Sequence, residues 1–323
     1  MPVTIHRASV AEVAPLTLYR LLWLRVSVFV VEQEAAYPEI DGRDIEPGAE
    51  LMWAEDASGE VLATLRILRE ERNTRIGRVA TAASARGRGL AADLMRAAVD
   101  VLDREAPGIP ILLDAQAHLA DWYGRFGFVV AGDPFAEDGI PHVPMRRTRL
   151  VTERLVLREW TRSTEDRAFL FDLYRRPEVR RYIGDGRTMA DADEVDALLE
   201  RWSARADGVL GIRAVTTVDG ARVGVILLKP IPWSAGARHG RPEDVEIGWH
   251  FHPDAHGHGF ASESAAAVLA LAQASGIPRV VAVTHPDNVA SQAVAVRIGM
   301  RPAGETGDYY DTTCALFISE AAA

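Results

Sequence analysis

The chain has 323 residues, 48% hydrophobic and 25% charged, which is enough for two globular domains with cores of their own. Its formal net charge of −10 excludes a general nucleic-acid binder, which needs a basic face to displace counterions, and leans instead towards a cationic acceptor such as an amine. Cys314 is the only cysteine, no apolar run reaches the ~20 residues that span a bilayer, and MPVTIHRASVAEVAP lacks a signal-peptide pattern; a disulfide, a multi-cysteine zinc site and a membrane anchor are not expected, and a cytoplasmic location is.

In chain order, the first recognisable unit begins with LRVSVFVVEQ at 24–33, followed by an acidic stretch over 32–50. GRVATAASARGRGLA at 77–91 is an apolar run, a polar turn and a glycine-rich step. The next segment spaces Leu90, Leu94, Ala97, Ala98 and Val101 as a helix face. A break leads to the strand IPILLDAQ at 109–116, a second helical run and the corner YGRFGF at 123–128. The boundary falls near 147–151, where HVPMRRTRL closes one half (1–147) and TERLVLREW opens the next (148–323), almost without a linker. VEIGWHFHPDAHGHGFA at 245–261 then repeats the strand and glycine step, and SESAAAVLALAQAS repeats the helix. PRVVAVTHP at 278–286 repeats the strand and VRIGM at 296–300 the corner. Gly89 to Gly127 spans 38 residues and Gly259 to Gly299 spans 40, so one pattern occurs twice. Alternating strands and helices in each half predict an α/β (α+β) fold with a mixed central sheet flanked by helices. Basic residues are almost all arginine, Lys229 being the lone lysine, a skew attributed to genome composition.

The glycine steps carry the first chemistry. Arg86-Gly87-Arg88-Gly89-Leu90-Ala91 and His256-Gly257-His258-Gly259-Phe260-Ala261 each stand where a strand turns into a helix. Without Cβ atoms, successive N–H groups can converge on an anion, and the helix N-terminus adds about half a positive charge. Neither step is a Walker loop or a full dinucleotide motif. A bland glycine-rich helix start competes with this reading for a single copy. Two copies at matching positions favour a phosphate cradle.

These motifs resemble the acetyl-CoA pyrophosphate loop of GNAT acetyltransferases, Arg/Gln-x-x-Gly-x-Gly/Ala. RGRGLA matches it fully, whereas HGHGFA puts His256 in the Arg/Gln position. Residues 1–147 resemble the ElaA-like group through LRVSVFVVEQ, YPEIDGRDIEPG at 37–48 and GIPHVPM at 139–145. Residues 148–323 resemble the RimJ/RimL-like group through TERLVLRE at 152–159, EIGWHFHP at 246–253, GHGFASES at 257–264 and HPDNVASQ at 285–292. The resemblance implies two GNAT-like domains that bind acetyl-CoA, release coenzyme A and need no metal. It implies acetyl transfer by direct attack, through a tetrahedral intermediate, to a primary amine on a small molecule or protein N-terminus. An alternative is one catalytic domain beside one that only binds acetyl-CoA or is structural. Val79 and Thr81 would lie along the cofactor beside the first loop.

The acceptor amine must lose a proton before attack, and the departing thiolate benefits from an acid. The resemblance places a tyrosine acid at Tyr123; the competing reading is a core aromatic, a role given to Trp122 and Phe126. Glu32 and Gln33 fall in the segment that would wall the acceptor site, although a salt-bridged surface suits Glu32 equally. His118 and His142 are weaker candidates, and no base is evident in this half. In the second half Ala295 takes the acid position. Asn288 would bind the pantetheine arm and Ser291 would act on the thiolate, unless Asn-x-x-Ser is simply a helix N-cap. Glu246 is the candidate base, acting through water, against the alternative of a solvated strand carboxylate. His250, His252, His256 and His258 could chelate a metal, but two lie in the phosphate loop and strand alternation turns Trp249 and Phe251 to the other face.

Overall fold

The computed structural model of the chain describes residues 2–36, 38–237 and 243–320. The chain divides into two compact units, Met1–Arg147 and Thr148–Ala323. Tyr37, which opens the YPEIDGRDIEPG segment, lies outside the described residues.

The first unit runs β1 (Val3–Ala8), α1 (Pro15–Val26), a π-helical turn (Ser27–Glu32), β2 (Glu50–Asp56), β3 (Val61–Arg69) and β4 (Thr74–Thr81). It continues with α2 (Leu90–Glu105), β5 (Ile111–Gln116), α3 (Ala120–Gly124), β6 (Val129–Val130), β7 (Phe135–Glu137) and β8 (Ile140–Arg147). Its sheet has the order β1-β2-β3-β4-β5-β8-β6, with β7 on β8, and among its pairings only β4 with β5 is parallel. Strand β3 is buried at every position but Arg69 because both of its faces are covered. On one face, α2 buries Leu90, Leu94, Met95, Ala98, Val99 and Leu102, the helical stripe expected from the sequence moved slightly around the axis. On the other, α1 buries Leu21 and Leu24 against Leu51, Trp53 and Val61.

The second unit runs β9 (Arg149–Val151), β10 (Leu155–Arg158), α4 (Thr164–Tyr174), α5 (Pro177–Arg180), α6 (Glu194–Ser203), β11 (Gly211–Thr217), β12 (Arg222–Pro230) and β13 (Val245–Phe251). It ends with α7 (Phe260–Ala274), β14 (Arg279–Thr284), α8 (Val289–Arg297), β15 (Arg301–Thr306) and β16 (Cys314–Glu320). The sheet order is β15-β16-β14-β13-β12-β11-β10-β9, again with one parallel pairing, β13 with β14. Helices α4 and α6 pack on Ile212, Ala214, Val225 and Leu227. Ser163 caps α4 by accepting from the Asp166 N–H. Fully buried Asp166 takes two hydrogen bonds from Arg158 and one from Arg222, so the apolar layer is anchored by a satisfied charge.

The two units share the order β2-β3-β4-β5-β8-β6 and β11-β12-β13-β14-β16-β15. The corner glycines Gly127 and Gly299 both have φ of 87°, a left-handed conformation that explains glycine at each. The helix before the first corner, α3, is only five residues long. Among the described residues no helix is long and apolar enough to cross a membrane.

Candidate active sites

Both glycine steps have nearly one geometry. Gly87 and Gly257 have φ of 76° and 78°, and the N-cap glycines Gly89 and Gly259 have φ, ψ of 80°, 3° and 79°, 2°. A Cβ would meet no atom within 4 Å at Gly87, Gly89 or Gly257, so the positive φ, not crowding, requires glycine there. Neither α2 nor α7 has a side-chain N-cap bond. Among the described residues the N–H groups of 87–90 and 257–260 donate to no backbone carbonyl. Each step therefore offers a row of unspent donors at the positive end of a helix.

A wedge opens beside each step. Strands β4 and β5 pair only at Thr74↔Ile111 and Arg75↔Leu112, and β13 and β14 only at Val245↔Val280 and Glu246↔Val281. Each pair then diverges towards the glycine step, leaving facing edges without ladder bonds that an extended ligand can occupy. The units differ by a bulge: the β3–β4 register jumps from Thr64↔Ala80 to Arg66↔Gly77, so Arg78, at φ 55°, and Val79 stand opposite one residue. The β12–β13 register is continuous from Gly224 to Pro230. Val79 and Thr81 thus lie on the diverging stretch of β4.

In the first unit the structure brings Glu32 and Gln33 to the mouth of this wedge. The π-helical turn at Ser27–Glu32, closed by Gln33 N–H donating to the Val28 carbonyl, swings Glu32 to within 2.6 Å of the Arg86 guanidinium. That hydrogen bond holds the Glu32 carboxyl below its usual range. Gln33 accepts from the Gln116 amide at 3.2 Å, at the end of β5. Farther along, the acidic stretch is neutralised internally. Arg25, almost fully buried, bonds Glu39 and Asp44; Arg66 bonds Asp41 at 2.7 Å; Arg78 lies 2.8 Å from Glu39 and 3.0 Å from Asp41. Burial opposes ionisation of Asp41, but bonds from Arg66 and the Arg43 N–H, with the charges of Arg66 and Arg78, hold it well below the carboxylate range.

Tyr123 is more buried than Trp122 or Phe126, the reverse of the division of labour expected between them. Its ring meets Trp122 edge-on at 4.8 Å, and burial pushes its phenol up to about 12. It therefore keeps its proton through neutral pH, as a donor must. His118 is exposed, and His142 Nδ1 lies 2.8 Å from the Ile140 carbonyl.

In the second unit Asn288 Oδ1 accepts from the Ser291 N–H at 3.2 Å, the N-cap of α8, and among the described residues the Asn288 amide hydrogens and the Ser291 hydroxyl make no other hydrogen bond. Ala295 is buried four residues before Gly299, as Tyr123 stands four before Gly127. Glu246 lies on the last paired rung before the wedge, but it is not a solvated strand carboxylate. It is 7% exposed, and its Oε2 accepts from Lys229 Nζ at 2.6 Å and from the Tyr310 hydroxyl at 2.5 Å. The equivalent rung of the first unit holds Arg75, paired to Asp114.

The histidines separate. His250 Nδ1 meets the Tyr174 hydroxyl at 2.9 Å, and His252 Nε2, just past β13, meets Asp172 at 3.0 Å, so both tie this stretch of chain to α4. Burial, then Arg180 and Lys229, push His250 down to about 4. His256 and His258 remain exposed on the glycine step. Arg154 had no assigned role in the sequence. It donates to the His258 carbonyl at 3.0 Å and to Glu263 at 2.7 Å, and lies over the Phe260 ring at 5.0 Å. Nothing in the spacing of TERLVLRE announced that contact, which joins positions more than 100 apart.

One wedge beside one uncapped glycine step occurs twice, and comparison names the family to which this arrangement belongs. Residues 25–149 and 154–301 each match an acetyltransferase (GNAT) domain family. The chain belongs to the GNAT acetyltransferase family and is an N-acetyltransferase with two such domains in tandem. A UPF0039 protein of Mycobacterium tuberculosis is 44% identical over 151 residues, covering 46% of this chain and 94% of that protein. Protein ElaA of Escherichia coli, similar to the N-terminal half, is 38% identical over 142 residues, covering 42% of this chain and 91% of that protein. A solved structure of RimL, the ribosomal L7/L12 alpha-N-protein acetyltransferase in complex with coenzyme A, is 18% identical with a TM-score of 0.43, covering 53% of this chain and 96% of that one.

Proposed function

We propose that the chain uses acetyl-CoA to acetylate a primary amine, on a small cationic molecule or a protein N-terminus, with an ElaA-like domain at 1–147 and a RimJ/RimL-like domain at 148–323. A cytoplasmic location belongs to the same reading. The observation that carries it is the duplicated cradle: two glycine steps with matching φ, ψ, uncapped helix N-termini and diverging strands. Acetyl-CoA supplies an acetyl group activated as a thioester and a diphosphate by which it is held. The N–H groups of Gly87, Arg88, Gly89, Leu90 and Ala91 would take that diphosphate in the first domain, with charge from Arg86 and Arg88. Those of Gly257, His258, Gly259, Phe260 and Ala261 would do so in the second, with His256 in the arginine position and Arg154 bracing the loop.

Val79 and Thr81, and in the second domain Asn288, would hold the extended arm along the wedge. Glu32 and Gln33 would line the acceptor side of the first domain, where Tyr123 would donate a proton to the leaving sulfur. In the second domain Ser291 would make that donation and Glu246 would take the proton of the acceptor amine. The alternative, one catalytic domain beside a binding domain, is favoured by one observation: Arg75 occupies the rung that Glu246 occupies in the second domain. Calorimetric titration with acetyl-CoA separates the readings. We expect two sites; one site supports the alternative, and none ends the proposal. Coenzyme A release over amines, polyamines, aminoglycosides and N-terminal peptides then identifies the acceptor.

A further inference from the structure

Lys229 is the only lysine among 36 basic residues, and it is not scattered on the surface. Its Nζ lies 2.6 Å from Glu246 Oε2 and 2.6 Å from the Tyr310 hydroxyl, which itself donates to the same Oε2. The three side chains close a triangle on one oxygen. Among the described residues Oε1 accepts no hydrogen bond, so one oxygen is tethered and the other is free. Cross-strand pairing Lys229↔Glu246 puts both side chains on the sheet face that packs α4 and α6.

Tyr310 reaches the triangle at a conformational cost. It and Asp311 are consecutive non-glycine residues at φ 57° and 53°. The segment 233–235 holds this shape: the Asp311 carboxylate accepts from Ala235 N–H at 2.7 Å, Asp311 N–H donates to Ser234 Oγ at 2.8 Å, and Trp233 stacks on Tyr309 at 5.0 Å. A strained loop fixed by separate contacts is the arrangement found where a side chain must be aimed. Burial, then the Glu246 carboxylate, raises the Tyr310 phenol well above its ordinary value, so it stays a donor.

We propose that Lys229 and Tyr310 are positioning residues of the second domain, which pin Glu246 Oε2 so that Oε1 is held ready for the proton of the acceptor amine. The inference rests on the reading of Glu246 as base. The other charged or titratable groups facing the triangle are Cys314 on β16, whose thiol is raised by burial and by Glu246; Arg205 after α6, which acts on Tyr310; and His250, two positions along the same face, with Arg180 beyond it. The first domain has no such set, because Arg75 fills the rung.

A single lysine makes a direct test possible. Full-length protein labelled with ¹⁵N-lysine gives one side-chain resonance. We expect a Lys229 ammonium slowed in proton exchange by its two acceptors, a protection lost in Glu246→Gln and reduced in Tyr310→Phe. A resonance exchanging like free lysine and indifferent to Glu246→Gln overturns the inference without needing an acceptor. Rates are then read as coenzyme A release with benzylamine, spermidine and a seryl tetrapeptide amide, in a Gly89→Asp background. Lys229→Met and Tyr310→Phe are each expected to lower kcat about tenfold or more at unchanged KM for acetyl-CoA. Lys229→Arg should restore much of that rate. If Glu246→Gln keeps the wild-type rate, the base reading itself fails. If Glu246→Gln abolishes second-domain turnover while Lys229→Met and Tyr310→Phe keep the wild-type rate, only the present inference fails.

Discussion

Gly259→Asp separates anion binding from folding. At φ 79° and ψ 2° an aspartate pays roughly 1 kcal/mol for the left-handed conformation. The same carboxylate then caps α7, which begins without a side-chain cap, and recovers a few tenths. The new Cβ lies 3.5 Å from Arg154 Nη2, an ordinary contact. Stability should therefore change by no more than about 1 kcal/mol. Ligand binding has no such compensation. A carboxylate ~4 Å from a phosphate charge costs about 4 kcal/mol at an effective dielectric of ~20, and roughly half that on an exposed, screened loop. Occupying the free N–H donors removes about as much again, so acetyl-CoA affinity at this site should fall about 10² to 10³-fold. Gly259→Ala, with strain alone, should lose at most about tenfold. Calorimetric titration should find the wild-type site count reduced by one in Gly259→Asp, and likewise in Gly89→Asp. If each variant keeps every site at unchanged Kd and unfolds like wild type, the glycine steps do not hold the diphosphate.

Three further perturbations test other parts of the argument. Tyr123→Phe should lower first-domain turnover about 10²-fold at unchanged acetyl-CoA affinity, in protein carrying Gly259→Asp; because burial holds the phenol near 12, the loss should be the same from pH 6 to 9. Unaltered turnover would leave Tyr123 as a core aromatic only. His250 has a folded value of about 4 against an ordinary 6.5, so the unfolded chain binds the extra proton between them. Stability should be intact above pH 6.5 and decline as pH falls towards 4, by at most about 3 kcal/mol; urea denaturation of His250→Gln should flatten that slope. Asp44→Ala removes a carboxylate that bonds Arg25 at 2.7 Å and lies 3.4 Å from Arg66, and should cost about 3 kcal/mol in urea denaturation. A loss below about 1 kcal/mol would mean that the buried arginines find other partners.

The repeated order of elements was legible because it is written in local signals. Apolar spacing marks α2, and glycine at φ above 70° marks Gly89, Gly259, Gly127 and Gly299; both survive in a linear string, because a left-handed backbone strongly favours glycine. Cradle, wedge strands and corners could therefore be placed twice. What could not be read was which distant side chains meet. The acidic stretch 32–50 suggested a cation site, yet Glu39, Asp41 and Asp44 are spent on Arg25, Arg66 and Arg78. Glu246 stood out as a candidate base with no partner in view, and Lys229 as an accident of composition. Their contact depends on the β12–β13 register, and that of Tyr310 on a loop 64 positions away. Local conformation is a property of neighbouring residues and so is carried by the sequence alone. The pairing of charges across strands and loops is set by sheet register and burial, which exist only once the chain has folded.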